Sequence, residues 1–467
     1  MTTDPPTSRN GSGPTRHYDT LVIGAGFAGI GAAIKLDEAG FDDFAVLEKS
    51  DNVGGTWRDN TYPGCACDVP SAVYSFSFAQ NPDWSRGFAE QPEIQAYLEK
   101  TAREYGVTDR IHFGTEMLDA TWNEEEQRWH VETSAGEYSA RVLIAGAGPL
   151  HEPNLPNLPG LDRFEGTTFH SARWNHDHDL TGRRVAVIGT GSSAIQFVPE
   201  IQPKVEQLYL FQRTAPWVLP KFDRRVSEGE RALYRRMPIA QKALRGFLYN
   251  TLELVQLAQR RPRVMNRVGR VVIRHMHRQV KDPELRRALT PNFTLGCKRM
   301  LLSNTYYRSL TQPNATLVPH AVTEVRENSV VGADGVEREV DTIIFGTGFH
   351  VTDPPVAERV RGSDGRSIAD TWRGSPRAYL GTSVSGFPNF FLLIGPNLGN
   401  GHSSAIVLIE AQLKYVLDAM RTMRSRGAAT VDVRREVQVA YNERVQAALA
   451  TTVWNAGGCQ SYYLDRN

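Results

Sequence analysis

No stretch of this sequence approaches the roughly twenty apolar residues that a membrane-crossing helix needs. The start, MTTDPPTSRNGSGPTRH, lacks the apolar core of a secretory leader. Its Pro, Ser, Thr and Gly content reads as a disordered tail over 1–17. Cysteine is scarce, with four in 467 residues, which excludes a disulfide scaffold. No two of them are spaced CxxC, so transfer of electrons to a dithiol of that kind is excluded as well. The 53 basic and 52 acidic residues nearly cancel, and a net charge of +1 argues for no nucleic acid or other polyanion as partner. A soluble, cytoplasmic protein in a reducing setting fits these absences. Cys65 and Cys67 form a CxC pair with no further ligand at suitable spacing. They read as small residues in a tight loop, and no metal is expected.

What is present is a repeated grammar. YDTLVIGAGFAGIGAAIKLDEAG is a short apolar strand, a glycine turn and a helix, and FAVLEKS is the next strand. The pattern returns at 183 as RRVAVIGTGSSAIQFVPEI followed by LYLFQRTAP. Two βαβ units of dinucleotide-binding type imply an α/β fold with two Rossmann-like domains. Two further apolar strands end in glycine, ARVLIAGAGPL (140–150) and DTIIFGTGFH (341–350). Both are expected to return the chain to the first domain, which is then discontinuous. The expected division is 18–150 with 340–467 for the first domain, 151–180 as linker, and 181–339 for the inserted second domain.

Residues 221–290 read as a helical insertion with 18 basic and 6 acidic residues. A solvated surface is the preferred reading. The other is a face for anionic lipid, an acidic carrier or a charged partner. Leu244, Phe247, Leu248, Thr251, Leu252 and Val255 recur at helical spacing and are expected in core or dimer contacts rather than at a membrane.

In the first unit Gly24, Gly26 and Gly29 form GxGxxG, which permits a tight turn and close approach of a pyrophosphate to a helix N-terminus. Glu48 ends the next strand and suits ribose hydroxyls. In the second unit the turn is Gly189, Gly191 and Ala194, and the following strand ends Phe211-Gln212-Arg213-Thr214 with no carboxylate. Arg213 and Thr214 suit a 2′-phosphate. One ribose-reading Glu and one phosphate-reading Arg point to FAD with NADPH. Without CxxC, the outlet for the electrons is O2.

Two remaining motifs narrow this further. FEGTTFHSARWN contains Phe164, Gly166, His170 and Trp174 as FxGxxxHxxxW, just before the second unit. GGTWRDNTYPGCACD follows the first unit and contains GGxWxxxxYPGxxxD. Here the sequence resembles the type I Baeyer–Villiger monooxygenases, class B flavoprotein monooxygenases, from about residue 18 to 465. FQRTAPWVLP, GCKRMLLSNTYY, GGCQSYYLD and GPNLGNGHSSAIVLIEAQLKY resemble the 4-hydroxyacetophenone monooxygenase-like subgroup.

The resemblance implies NADPH-dependent insertion of one oxygen atom of O2 next to a ketone carbonyl, through a flavin C4a-peroxide, giving an ester or lactone. It implies Arg299 as the catalytic cation, paired with Asp68 beside the flavin. Lys298 is set aside as a catalyst. FAD contacts are implied for Gly24, Gly26, Phe27, Ala28, Glu48, Gly55, Thr56, Trp57, Asp68, Tyr74, Met117 and Gly348. NADP contacts are implied for Gly189, Thr190, Gly191, Ser192, Ser193, Arg213, Thr214 and Arg299. His170 is expected to be a positioning residue in the linker and not a base. His176 and His178 read as a polar turn. Family members continue past YYLD with a further tail, so a looser substrate side is expected here. Two alternatives stay open: a flavin monooxygenase oxidising nitrogen or sulfur, and a protein that binds FAD and NADP without oxygenating.

Overall fold

The computed structural model describes residues 14–399 and 401–465. For residues 1–13 the expected tail lies outside the described residues. Arg16 and His17 already belong to a strand, because their backbones pair with Tyr138 and Ser139.

Strand β1 (Arg16–Ile23) is flanked on both sides by parallel strands, β2 (Phe44–Leu47) and β3 (Gly136–Ala145). Helix α1 (Phe27–Glu38) follows β1 and is almost wholly buried. Leu21 and Ile23 enter one apolar cluster and Val22 the other, so both faces of β1 are covered. That is why the strand is continuously apolar rather than alternating. Antiparallel strands Arg128–Thr133 and Met117–Asn123 extend the sheet from β3. The chain returns to this sheet only later, through Val360–Arg361 and Phe390–Leu392.

Between these visits lies a second sheet of five parallel strands. It holds β4 (Thr167–His170), β5 (Arg184–Ile188), β6 (Gln207–Phe211), β7 (Ala315–Val318) and β8 (Thr342–Phe345), in the order β7-β6-β5-β8-β4. Helix α2 (Ala194–Ile201) follows β5. The first sheet is therefore interrupted in sequence by the second, and each carries one glycine turn.

Strand 342–345 corrects an expectation. It lies between β5 and β4 and does not rejoin the first sheet. The two glycine-ended strands serve one turn each. Gly24 sits at φ +93 with its Cβ direction 3.0 Å from the Gly146 carbonyl oxygen, beyond the end of β3. Gly189 sits at φ +110, and a Cβ there would run into the Gly346 carbonyl, beyond the end of β8. A side chain at Gly346 would also press on Ala194, whose Cβ is 3.4 Å away. The fingerprint segment is likewise part of the second sheet through β4, not only a connector.

The basic insertion folds as helices Glu228–Arg236, α3 (Pro238–Gln259), α4 (Pro262–Gln279) and Pro283–Ala288. Leu248 and Leu252 pack on the main core as expected. Phe247 does not, and is 69% exposed. Among the described residues no helix is long and apolar enough to cross a membrane.

A Cβ on Gly29 would strike the Gly24 carbonyl oxygen, whereas a Cβ on Gly40 meets nothing within 4 Å. Gly29→Ala is expected to cost about 1–3 kcal/mol through overpacking and to lower the flavin retained on purification. Gly40→Ala carries only the strain of its φ of +69 and keeps full flavin. Thermal unfolding and the flavin-to-protein absorbance ratio check both.

Candidate active site

The loop from Gly54 to Asp68 does two jobs. Its first half lines a cleft at the carboxyl end of β1. Gly54 (φ +123) and Gly55 (φ +53) bring backbone against Gly26 and Ala25. Trp57 then donates its indole N–H to the Tyr74 hydroxyl at 3.0 Å, with the two rings edge to face. The second half docks on the other unit. Gly64 (φ +75) lies so close to α2 that a Cβ would stand 2.9 Å from Glu200 and 3.0 Å from the Gln196 carbonyl. Gln196 clasps the loop, accepting from the Tyr62 hydroxyl (3.1 Å) and donating to the Ala66 carbonyl (2.9 Å).

Of the FAD contacts expected, Gly24, Gly26, Phe27, Ala28, Glu48, Gly55, Thr56, Trp57, Tyr74 and Met117 all line this cleft. Glu48 is buried, and its carboxylate accepts from the Ala25 backbone N–H (2.7 Å), the Ser50 N–H (3.0 Å) and Arg58 (3.1 Å). The backbone approach at the glycines, the start of α1 and a carboxylate at the end of β2 fit a dinucleotide with a ribose to be read. The cleft closes with Ala405 and Ile406, at the start of α5 (Ala405–Arg426), whose N-cap is Ser404. Two expected contacts are not in this wall. Gly348 lies beyond β8, in the second sheet, where its carbonyl accepts from Asn154. Asp68 is not among the residues that line the cleft, although its charge acts on Tyr74, which is. Lys49, Arg58 and Arg359 also line the cleft. Nothing in their spacing marked them beforehand.

At the second turn Gly189 donates its N–H to the Phe211 carbonyl, and the Thr190 hydroxyl faces the Thr214 carbonyl at 3.4 Å. Gly191 is exposed, Ser192 and Ser193 are half-buried, and Ser193 precedes α2. Arg213 is exposed at the end of β6. Lys298 was set aside on sequence grounds, yet burial and the nearby Arg213 both hold its ammonium below the usual lysine range.

Arg299 turns to the other unit. Its Nε donates to Asp68 Oδ2 at 2.7 Å and its Nη2 to Oδ1 at 2.6 Å, a bidentate pair with both side chains mostly buried. Burial alone would raise the Asp68 pKa, but the guanidinium outweighs it and holds the carboxyl below the usual range. Burial would lower that of Arg299, and Asp68 more than reverses it. Lys221, half-buried above the Phe88 ring, adds a second cation near Asp68. Its local sequence carries no signal of this.

The fingerprint residues form the joint between the units. Trp174 packs on Phe169 (5.1 Å between centroids) and on Phe197 of α2 (5.3 Å), and Tyr62 of the glycine loop meets Phe197 from another side (6.0 Å). Phe164 packs against the second sheet's core, and Gly166 leaves no room for a Cβ beside Asp341 and the Phe164 ring. His170 is buried, and its Nδ1 accepts from the Ala172 N–H at 3.1 Å, so Nε2 carries the proton. Burial pushes its imidazole from 6.5 down to about 4. Near neutral pH the ring is therefore uncharged and engaged in a turn. His176 and His178 bond Thr61 and Thr342 hydroxyls.

The C-terminal segment folds over this region. Cys459 is joined to Cys297 by a disulfide, two residues before Arg299, while Cys65 and Cys67 are free and buried. Tyr462 and Tyr463 lie near enough to act on the Arg299 charge, and Tyr463 packs over Gly399 and Gly401. Cysteine spacing alone could not reveal this pairing.

Residues 21–228 match the family model described as pyridine nucleotide-disulphide oxidoreductase. A Baeyer-Villiger monooxygenase of Streptomyces coelicolor is 51% identical over 96% of this chain and 87% of its own length. An oxidized steroid monooxygenase bound to NADP superposes with a TM-score of 0.84 at 31% identity, over 96% of this chain and 94% of that one. An OTEMO complex with FAD and NADP gives 0.85 at 28% identity, over 96% and 93%.

Two acid-labile contributions follow. The unfolded chain protonates His170 near 6.5 while the folded one resists to about 4, so stability falls with pH through that window. Asp68 contributes fully above the ordinary 3.8 and is lost as pH drops through its lower folded value. His170→Gln is expected to flatten the first limb and Asp68→Asn the second, in chemical denaturation measured from pH 7 to 3.

Proposed function

The chain belongs to the Baeyer–Villiger monooxygenase family, and from that premise we propose that Arg299 and Asp68 are the charged pair with which it works on its ketone. It is an FAD- and NADPH-dependent flavoprotein monooxygenase that places one oxygen atom of O2 beside a ketone carbonyl and releases an ester or lactone. The residues around the first cleft would hold FAD, and those at the second turn NADP. Reduced flavin supplies the activated oxygen when bound; the chain's own residues position, shield and balance charge.

The observation that carries the site assignment is the adjacency of Lys298 and Arg299. Lys298 senses Arg213 at the second turn, and Arg299 grips Asp68, whose charge acts on Tyr74 of the first cleft. One dipeptide thus addresses both nucleotide sites. Arg213 and Lys298 would hold the 2′-phosphate, with Thr214 beside them. Arg299 stays cationic at any working pH, and its fork is fixed by Asp68, so it can stabilise negative charge on oxygen without reorganising. Asp68 remains ionised because its carboxyl is held low. Tyr74 and Trp57, bonded to each other, would brace that side of the cleft. Tyr462 and Tyr463 restrict water over Arg299 from the C-terminal side. The segments FQRTAPWVLP, GCKRMLLSNTYY and GGCQSYYLD support a place in the 4-hydroxyacetophenone monooxygenase-like subgroup, and hence an aryl ketone as first choice of substrate.

The test is product identification. Enzyme, NADPH, O2 and a panel of aryl, cyclic and aliphatic ketones are expected to give ester or lactone. Arg299→Ala is expected to retain FAD and lower ester formation by about a hundredfold or more, as removal of an oxyanion-stabilising donor does. Ester formation at the wild-type rate in that variant removes Arg299 from the mechanism. Arg213→Ala and Lys298→Ala are each expected to raise KM for NADPH about tenfold or more while leaving KM for NADH unchanged.

A further inference from the structure

The α3–α4 hairpin has an outer surface that the reaction does not use. On α3, Ile239, Ala243, Phe247, Leu254 and Leu257 fall on one arc of the helix, spaced by three, four or seven residues. They face out: Ile239 is 67% exposed, Phe247 69%, Leu254 65% and Leu257 53%. The opposite face of the same helix is engaged, with Gln241 and Gln259 buried, Leu248 and Leu252 packed on the core, and Arg245 bonded to the carbonyls of Ala72, Val73 and Ser75. An exposed stripe this long is therefore not a consequence of a loosely held helix.

At its C-terminal end the stripe runs into Arg260 and Arg261 in the turn, and then into α4. Met265, Gly269, Val272 and Met276 seat α4 on the protein. Its outer side carries Arg263, Arg267, Arg270, Arg274 and Arg278, with Val268 and Val271 exposed beside them. Between Glu253 and Asp282 stand seven arginines and Lys281, and no acidic residue. Among the described residues, none of those five arginines has a carboxylate within ion-pair distance. Structural arginines on this molecule behave differently, as Arg184, Arg224, Arg326 and Arg338 each hold an acid.

We propose that the α3–α4 hairpin is a docking face for the surface of an anionic phospholipid bilayer. An exposed apolar row beside a row of unneutralised arginines matches what a lipid headgroup boundary offers, an acyl layer under fixed negative charge. A second copy of this chain is a poorer match. A two-fold contact through this face would set the arginines of one copy against either the arginines or the apolar row of the other, and offers them no acid. The hairpin would lie in the interface plane, since neither helix can cross.

The experiment is vesicle flotation of the full-length holoenzyme at low salt. Vesicles are phosphatidylcholine alone, or phosphatidylcholine with phosphatidylglycerol. The expected result is at least tenfold stronger partitioning to the anionic vesicles, weakened by added salt as exposed charges are screened. Arg267→Gln/Arg270→Gln/Arg274→Gln is expected to abolish that preference. Phe247→Ser/Leu254→Ser is expected to lower binding severalfold with the salt dependence retained. Flavin content and NADPH oxidation are unchanged in both, which separates loss of docking from loss of fold. Wild-type enzyme that stays with the pellet whatever the lipid overturns the proposal. So does a dimer in sedimentation that Phe247→Ser/Leu254→Ser converts to monomer, since the face then belongs to a second copy.

Discussion

Asp68 and Arg299 are 231 residues apart in the chain and bonded twice. Few placements of the two units satisfy a bidentate fork, because both N–H directions are fixed by one planar group. The pair therefore does more than hold charge. It ties the glycine loop that follows the first unit to the segment around Arg299. A mostly buried ion pair is weak evidence for stability, since desolvation offsets much of the attraction. Its value here lies in geometry, since it holds the guanidinium in one orientation.

Most of the other contacts named at the joint are uncharged, although Arg173 of the fingerprint segment also approaches Asp59 of the loop at 3.8 Å. Gly64 permits contact with α2 that no side chain would allow, Gln196 satisfies the loop's polar groups, and Tyr62, Trp174, Phe169 and Phe197 fill the space between. His170 turns the chain out of β4 toward Trp174 by accepting the Ala172 N–H. Aromatic packing of this kind tolerates small rotations better than a backbone ladder does. A joint built on it can carry two rigid nucleotide-binding units through a cycle in which one cofactor must reach the other.

The carboxyl-terminal segment and the basic insertion bracket the site from outside. Tyr463 rests on glycines just before α5, and the Cys297–Cys459 link ties its base to the Arg299 loop. Helix α3 reaches the same neighbourhood from the other side, through Glu253 and His402 and through Gln259 beside Gly296 and Gly401. The inner face of the hairpin is thus part of the enclosure.

Much of this was legible in the chain. GxGxxG, GxGxxA, Glu48 and Arg213 are local signals, because turns, helix starts and strand ends depend on neighbours a few residues away. The fold class, both nucleotide sites and the Asp68–Arg299 pairing rested on such motifs and on resemblance to a family. Pairing between strands is not local. DTIIFGTGFH reads the same whichever sheet it joins, and only its register against Val185–Ile188 and Thr167–His170 places it in the second. Gly348 moved out of the flavin wall for the same reason. Lys298 facing Arg213, Lys221 near Asp68, the cysteine pair and the outward turn of Phe247 also required the packed chain, since each depends on which distant surface a side chain meets. The sequence by itself determined what each segment can become; the tertiary structure decided which segments meet, because burial and charge are settled only where remote parts of the chain come together.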